Sequence, residues 1–454
     1  MSASPLPSPA PALDSTAGSS AWWLRTAVLA FAISRIYILY GLEPAGSDLP
    51  YYALLAYRAV DQKLEGYKDF PVEYPPVAYW SIVLPRQMNV AVGRPVRSLE
   101  KIYKRYQSTF RSEAFLFDLW AFLLFLSMVN ARRPTDVGPA AWGYVVVTGS
   151  LGHLLYDRLD IGLLFLLLLW VSCWLRADGE PRTSKRWVSV AGFVLGIGVA
   201  YKLIPILLFP LMAITEWRKR KDGGHPWLTV TTTVLGSMLP FLWYVPRSGM
   251  KVFDFLNYHS GRLVDVNSVY GTVLILLGPI VGHPVAKQEG ASWDMVGPAS
   301  QEITLVATAV LGLFLLGAAT YLAFRRPPIE RSDGYRLSIF VLPTSVLLAK
   351  VLSPQFLLFA LPFAILAACE SMKRSALLAS VVLCSVIAGA STWIYPYHFF
   401  SHFTGGGVVV DDPWGVVPDF TPMGCLALII RNGAFALLVA WLAISFGTRK
   451  ESVK

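Results

Sequence analysis

Apolar runs recur from residue 21 to residue 446, parted by short polar or basic segments. A helix needs about 20 such residues to cross roughly 30 Å of hydrocarbon. The runs predict helices at about 21–42, 113–130, 138–156, 160–175, 187–201, 204–217, 226–245, 302–324, 337–351, 355–370, 375–396 and 423–446. Segments 77–91 and 269–283 are apolar but short and broken by Pro or Gly, a pattern that suits re-entrant or interfacial pieces. Three long stretches, near 43–112, 246–301 and 397–422, hold no full span. In the first, Arg94, Arg97, Lys101, Lys104 and Arg111 recur at helical spacing, with Leu99, Ile102, Tyr103, Tyr106 and Phe110 on the other face. That pattern predicts an amphipathic helix lying on anionic headgroups; gripping a substrate is the rival role.

Composition supports the reading. Hydrophobic residues make up 55% of the 454 and charged residues 15%, with a mean hydropathy of +0.51; soluble domains carry roughly 25% charged residues. The predicted fold class is an all-α polytopic integral membrane protein with about twelve transmembrane helices. One membrane domain is expected over 21–447, between a disordered Pro/Ser/Ala-rich tail at 1–20 and a short tail at 448–454. The first apolar run lacks a basic leader and a cleavage site, and is read as a helix that stays. The net charge of +10 does not point to nucleic acid, because the basic residues sit mostly in short loops. With both termini cytoplasmic, "NARRPTD", "LRADGEPRTSKRW", "WRKRKDGG", "FRRPPIERSDGYR", "SMKR" and "TRKESVK" hold about 19 of the 39 Lys and Arg. The first long loop carries about ten more on the other side, where length overrides charge. Cys173, Cys369, Cys384 and Cys425 lie in or beside apolar runs and imply neither disulfide nor zinc.

The candidate chemistry starts in "GSDLPYYALLAYRAVDQKLEGYKDFPVEYPPVAYW", residues 46–80. The first helix delivers Asp48 just outside the bilayer, Pro50 suits the first turn of an interfacial helix, and "PVEYPPV" brings Glu73 back to the same boundary. A carboxylate there can accept a proton from a hydroxyl; alternatively both are solvated loop acids paired with Lys63, Lys68 or Arg35. Lys202 and Lys350 interrupt apolar runs at their outer ends, for a task or by snorkelling. Asp157, Arg158 and Asp160 lie at another outer helix end, where pairing with Lys202 is the first expectation and sugar binding the second. Asp118 and Arg431 are each set inside an apolar run and invite an internal ion pair. His398 and His402, four apart with Asp411 and Asp412 downstream, could share a helical face toward a metal, or form part of an aromatic belt. The "GIG" at 196–198 reads as packing glycine, not a nucleotide fingerprint.

An acidic residue after the first helix, an interfacial helix and the "E-Y-P-P" return together resemble the GT-C membrane glycosyltransferases. The resemblance narrows to family 87, which includes polyprenyl-phosphate-mannose-dependent mannosyltransferases. "RLDIGLLFLLLLWVSCWLR" with "AGFVLGIGVAYKLIPILLFPL", "FLNYHSGRLVDVNSVYGTVLIL" and "LAKVLSPQFLLFALPF" are similar to further family segments in the same order. The likeness covers most of residues 30–365 and weakens after that. It implies an inverting transfer of a sugar, mannose first, from polyprenyl phosphate to a hydroxyl of a lipid or glycan acceptor on the extracytoplasmic face. The leaving phosphate needs no general acid, so the site needs one base and positive charge. Asp48 is then the base, with Glu73 a second sugar-binding carboxylate or the base itself. Arg262 with His259 beside it, then Lys202 and Lys350, would hold the donor phosphate, since Arg grips phosphate through a fixed fork. Tyr51, Tyr74, Asp160 and Ser268 would contact substrate. No metal, other cofactor or protein partner is called for; the partners are donor, acceptor and bilayer. The rival class is a transporter or flippase, which would set charged groups near mid-membrane in two related halves.

Overall fold

The computed structural model describes residues 15–43, 47–93, 98–179, 181–282, 284–289, 292–326, 328–371, 374–403 and 420–447. Helix α1 (Ser15–Tyr40) starts within the stretch expected to be disordered and leads to two short helices, α2 (Leu49–Val60) and α3 (Pro76–Val92). Next comes α4 (Leu99–Arg132), 34 residues with neither Gly nor Pro to break it. Segment 77–91 is thus a helix in its own right. The expected surface helix is the first part of α4. Most of the face read as lipid-seeking packs on protein: Ile102, Tyr106 and Phe110 are buried, and Tyr106 donates to the Ile82 carbonyl at 2.9 Å, while Leu99 is exposed. Arg94 and Arg97 lie outside the described residues.

The interior is built from α5 (Val137–Ser150), α6 (His153–Tyr156), α7 (Asp160–Arg176), α8 (Pro181–Tyr201), α9 (Phe209–Arg218) and α10 (Pro226–Ser248). The predicted helix at 138–156 breaks at Gly152, whose φ of +50° is one that side chains resist. The break separates α5 from α6 and starts the turn into α7. Beyond α10 lie α11 (Phe255–Gly261), α12 (Val269–Val281), a hairpin of β1 (Val285–Glu289) with β2 (Ser292–Val296), and α13 (Ser300–Phe324). Then follow α14 (Arg331–Leu348), α15 (Leu357–Ser371), α16 (Arg374–Thr392), α17 (Phe399–Phe403) and α18 (Pro422–Gly447). Among the described residues six helices are long and apolar enough to cross a membrane: α1, α4, α10, α13, α16 and α18. Of the other predicted spans, α5, α7, α9 and α15 are shorter, 14, 17, 10 and 15 residues.

The core is continuous, with Trp170, Trp174, Tyr144 and Phe363 fully buried between helices. Its main buried charge is Asp118. Arg35, not Arg431, is its partner, at 2.8 Å, and Tyr144 and Tyr156 each donate to it at 2.8 Å. Arg35 also meets Thr148, so the pair is hydrogen-bonded on both sides, as a buried pair must be to persist. Arg431 instead donates to the Asn267 carbonyl and to Asn432. Four of the basic loops meet at one end of the bundle. There Arg132 and Arg336 share Glu370 at 3.2 and 3.4 Å, and Arg331 grips Glu216 at 2.6 and 2.9 Å. Lys219 reaches Asp178 at 3.6 Å. All four cysteines are free.

Candidate active site

At the opposite end, Asp48 stands at the start of α2, a position where an acid often caps the helix. Its side chain makes no cap hydrogen bond. It turns to Arg158, between α6 and α7, which meets Oδ2, and Tyr52 donates to the same oxygen at 3.3 Å. Of the three expected loop partners, Arg35 is taken by Asp118, Lys68 lies 3.8 Å from Glu65 and Lys63 is exposed. Arg158 also donates to the Tyr395 hydroxyl at 3.0 Å.

The short turn before α7 organises the whole end. Asp157 accepts both arms of Arg111 on α4, at 2.7 and 3.0 Å. Arg158 holds Asp48, and Asp160 takes the Lys202 ammonium at 2.5 Å, as the sequence suggested. Three near-neighbours thus fasten α4, the start of α2 and the end of α8 to one point. Lys202 sits over the Phe356 ring, 4.6 Å from its centre, and its side chain is 22% accessible against 1% for Asp160.

Two tyrosines link Glu73's segment to Asp48. The Tyr74 hydroxyl lies 3.4 Å from that of Tyr52, and Tyr67 donates to the Tyr74 carbonyl at 2.6 Å. Glu73 is half-buried, and burial pushes its carboxyl above the ordinary range. Tyr51 is half-buried on the first turn of α2.

The Arg262 loop lies at the same end, but its guanidinium is already engaged. It donates to Asp294 at 2.8 Å and to Asp265 at 3.2 Å, and only 8% of the residue is accessible. Asp294 comes from the β-hairpin, which apolar periodicity did not reveal. Ser268 is also occupied, capping α12 by accepting from the Gly271 N–H at 2.9 Å. Lys350 is half-buried and donates to the Arg262 carbonyl at 2.5 Å. Burial first, then the neighbouring Arg262, lowers its pKa, so an arriving anion would relieve both. The His259 side chain lies outside the described residues, as do Asp411 and Asp412. The Nδ1 of His402 is 2.6 Å from the Thr421 hydroxyl, and His402 stacks on Trp393. Among the described residues no group of three His, Cys, Asp or Glu could hold a metal.

Asp48, Tyr52, Tyr74, Arg158, Asp160 and Lys202 therefore form one cluster. Arg262, Asp265, Ser268 and Lys350 form a second, joined to the first by rings that run from Tyr395 through Phe399 to Trp293. The sequence offers Arg158 as a pairing or sugar-binding residue but not as the partner of Asp48, and does not single out Tyr52 or Tyr395. Tyr52 could have been found, since it falls one helical turn after Asp48.

Comparison with known proteins adds the following. The family model described as Glycosyltransferase family 87 matches residues 112–354, just over half of the chain. That range holds Arg158, Asp160, Lys202, Arg262, Ser268 and Lys350, while Asp48 and Glu73 precede it. No curated protein matches. Among solved structures the chain is similar to ArnT from Cupriavidus metallidurans bound to undecaprenyl phosphate, at 13% identity over 95% of this chain and 78% of that one, with a TM-score of 0.45. It is also similar to the archaeal oligosaccharyltransferase AglB from Archaeoglobus fulgidus in complex with an inhibitory peptide and a dolichol-phosphate. There the identity is 12%, the coverage 94% of this chain and 56% of that one, and the TM-score 0.38.

Proposed function

The chain belongs to glycosyltransferase family 87, of the GT-C membrane type, and from that premise we propose that it passes a sugar from a polyprenyl phosphate to a hydroxyl of a lipid or glycan acceptor, with inversion, on the extracytoplasmic face. Mannose is the first sugar to try. One observation carries the reading. The turn at Asp157–Asp160, inside the matched range, holds Asp48 and Lys202 at the end of the bundle away from the basic loops.

The acceptor oxygen attacks the anomeric carbon as the carbon–oxygen bond to phosphate breaks. The bonding pair leaves with the phosphate, and the acceptor proton passes to Asp48. Both contacts of that carboxylate fall on Oδ2, which leaves Oδ1 for the proton. Arg158 and Tyr52 set its orientation, and positioning of this kind lowers the barrier before any bond moves. Glu73, unpaired by any cation among the described residues, takes a sugar hydroxyl and is the fallback base. Lys202 and Lys350 face the departing phosphate, with Arg262 behind them; His259, three residues before Arg262 in the chain, is a further candidate for the same role. Tyr51, Tyr74 and Asp160 bound the sugar, and Ser268 holds the loop. The prenyl chain stays in lipid, because its hydrocarbon cannot enter water cheaply.

The test is transfer from a panel of polyprenyl-phosphate sugars by wild type, Asp48→Asn and Glu73→Gln. Asp48→Asn is expected to lower kcat by about 10²–10⁴-fold, the range of general-base catalysis, with donor binding kept. Full turnover in Asp48→Asn with an inactive Glu73→Gln moves the base to Glu73. No transfer by wild type from any of these donors ends the reading.

A further inference from the structure

Beside this site, α2, α3, α4, α7, α8 and α10 line a cavity of about 560 Å³ that the chemistry above does not use. Its walls are apolar and aromatic, with Trp80, Leu84, Leu166, Ile197 and Trp243 among them. Trp80, Leu84 and Trp243 are 40%, 43% and 58% accessible, so the cavity opens in part sideways through apolar surface, while Leu64, Glu65 and Arg247 line its edge toward the loop after α2. Two polar features interrupt the walls. At one, Glu65 pairs with Arg247 at 3.4 Å. At the other, Ser81 donates to Glu113 Oε1 at 2.5 Å. The second oxygen, Oε2, is buried and has no hydrogen-bond partner among the described residues. Native structures rarely leave such a group unsatisfied without a reason.

Ser81, Glu113 and Tyr201 also line a narrow space that continues to Arg158, the residue that holds Asp48. Its free volume is about 10 Å³, room for one water or one hydroxyl and too little for a phosphate. Apolar walls suit hydrocarbon and the C–H faces of a sugar. A carboxyl group suits a hydroxyl donor and repels a phosphate. With Arg247 already paired to Glu65, the occupant favoured beside Glu113 is neutral, hydroxylated and lipid-linked, the class of an acceptor rather than of the donor.

We propose that this cavity is the acceptor site, entered from the membrane, and that Glu113 is its specificity residue, accepting a hydrogen bond from the acceptor's head. This rests on the transferase reading. Two probes of equal chain length test it on the full-length protein in nanodiscs: decyl glucoside and decyl phosphate, each with a diazirine at the chain end. Crosslinks are mapped by mass spectrometry. The glucoside is expected to label residues 77–87 and 243–247 at least tenfold better than the phosphate. Glu113→Gln should narrow that preference, and Glu113→Ala should weaken glucoside labelling about tenfold, the loss of one strong hydrogen bond. In transfer assays both variants should raise KM for the acceptor and leave KM for the donor unchanged. Equal labelling by the two probes, or unchanged glucoside labelling in both variants, overturns the proposal. Labelling does not depend on turnover. Transfer without labelling in the cavity sinks this inference alone, whereas labelling with no transfer from any donor removes the transferase reading and the acceptor role with it.

Discussion

Asp265 shows how a single residue here balances burial against charge. Burial pushes its carboxyl up to about 6 from an ordinary 3.8, and Arg262 offsets only part of that. Asp294, sharing the same guanidinium, pushes it the same way as burial. Because the folded protein holds this proton more tightly than the unfolded chain, its contribution to stability is complete below about pH 4 and is lost as pH rises through about 6. The melting temperature of wild type minus that of Asp265→Asn, measured in detergent, should therefore fall between pH 4.5 and 7, by the equivalent of about 2 kcal/mol. A flat difference would mean that the carboxyl stays charged throughout. Asp265 was not singled out in the sequence, whereas Asp118, Arg431, Lys202 and Lys350 were, since an ion in an apolar run needs a reason. Which ions pair could not be picked out. Asp118 chose Arg35 over Arg431 because α1, not α18, packs against α4 and α5. The Lys202–Asp160 pair was legible because both residues sit at the same end of adjacent helices.

Helix α8 shows what periodicity reveals at the scale of an element and what it hides. The "GIG" was read as packing glycine, and Gly196 fits that: a Cβ there would lie 2.2 Å from the Thr233 carbonyl oxygen. The fuller device is Gly192 with Gly196, four apart, against Gly236, whose own Cβ would lie 2.3 Å from the Phe193 carbonyl. Three glycines let the backbones of α8 and α10 touch, the small-residue packing that membrane helices favour. Gly196→Ala is expected to cost about 1–3 kcal/mol, as overpacking does. Gly312→Ala, whose Cβ would meet nothing within 4 Å, serves as the control in the same thermal-shift assay. Equal melting of the two variants would disprove the tight contact. The β-hairpin was missed for a different reason. "VAKQE" and "SWDMV" are five residues each, too short to stand out beside helical runs twice their length or more. Its pairing with residues 264–266 is a long-range contact that a local pattern does not encode.

Across the whole molecule, the gathering of the basic loops at one end was the most legible property, because a bias in loop charge does not depend on how helices pack. Ion pairs gather Arg132, Lys219, Arg331 and Arg336 at one end, and Asp48, Asp160 and Lys202 at the other. If the basic end is cytoplasmic, Gln62→Cys should react with an impermeant maleimide on intact cells, and Lys221→Cys only after lysis. Both positions are exposed. The reverse pattern would put the active site inside.

Helix α4 ties this division to the lipid itself. At 34 residues it is about 51 Å long, some 20 Å more than the hydrocarbon it crosses, and it carries Arg111, the anchor of the Asp157 turn. An unbroken rod cannot adjust its height at one end alone. A bilayer whose thickness departs from the rod's apolar length must tilt it or adjust around it, and a tilt moves Arg111 and the Asp157 turn, which also carries Arg158, the partner of Asp48, the proposed base. Sterol or acyl-chain composition would thereby tune turnover without touching a catalytic residue.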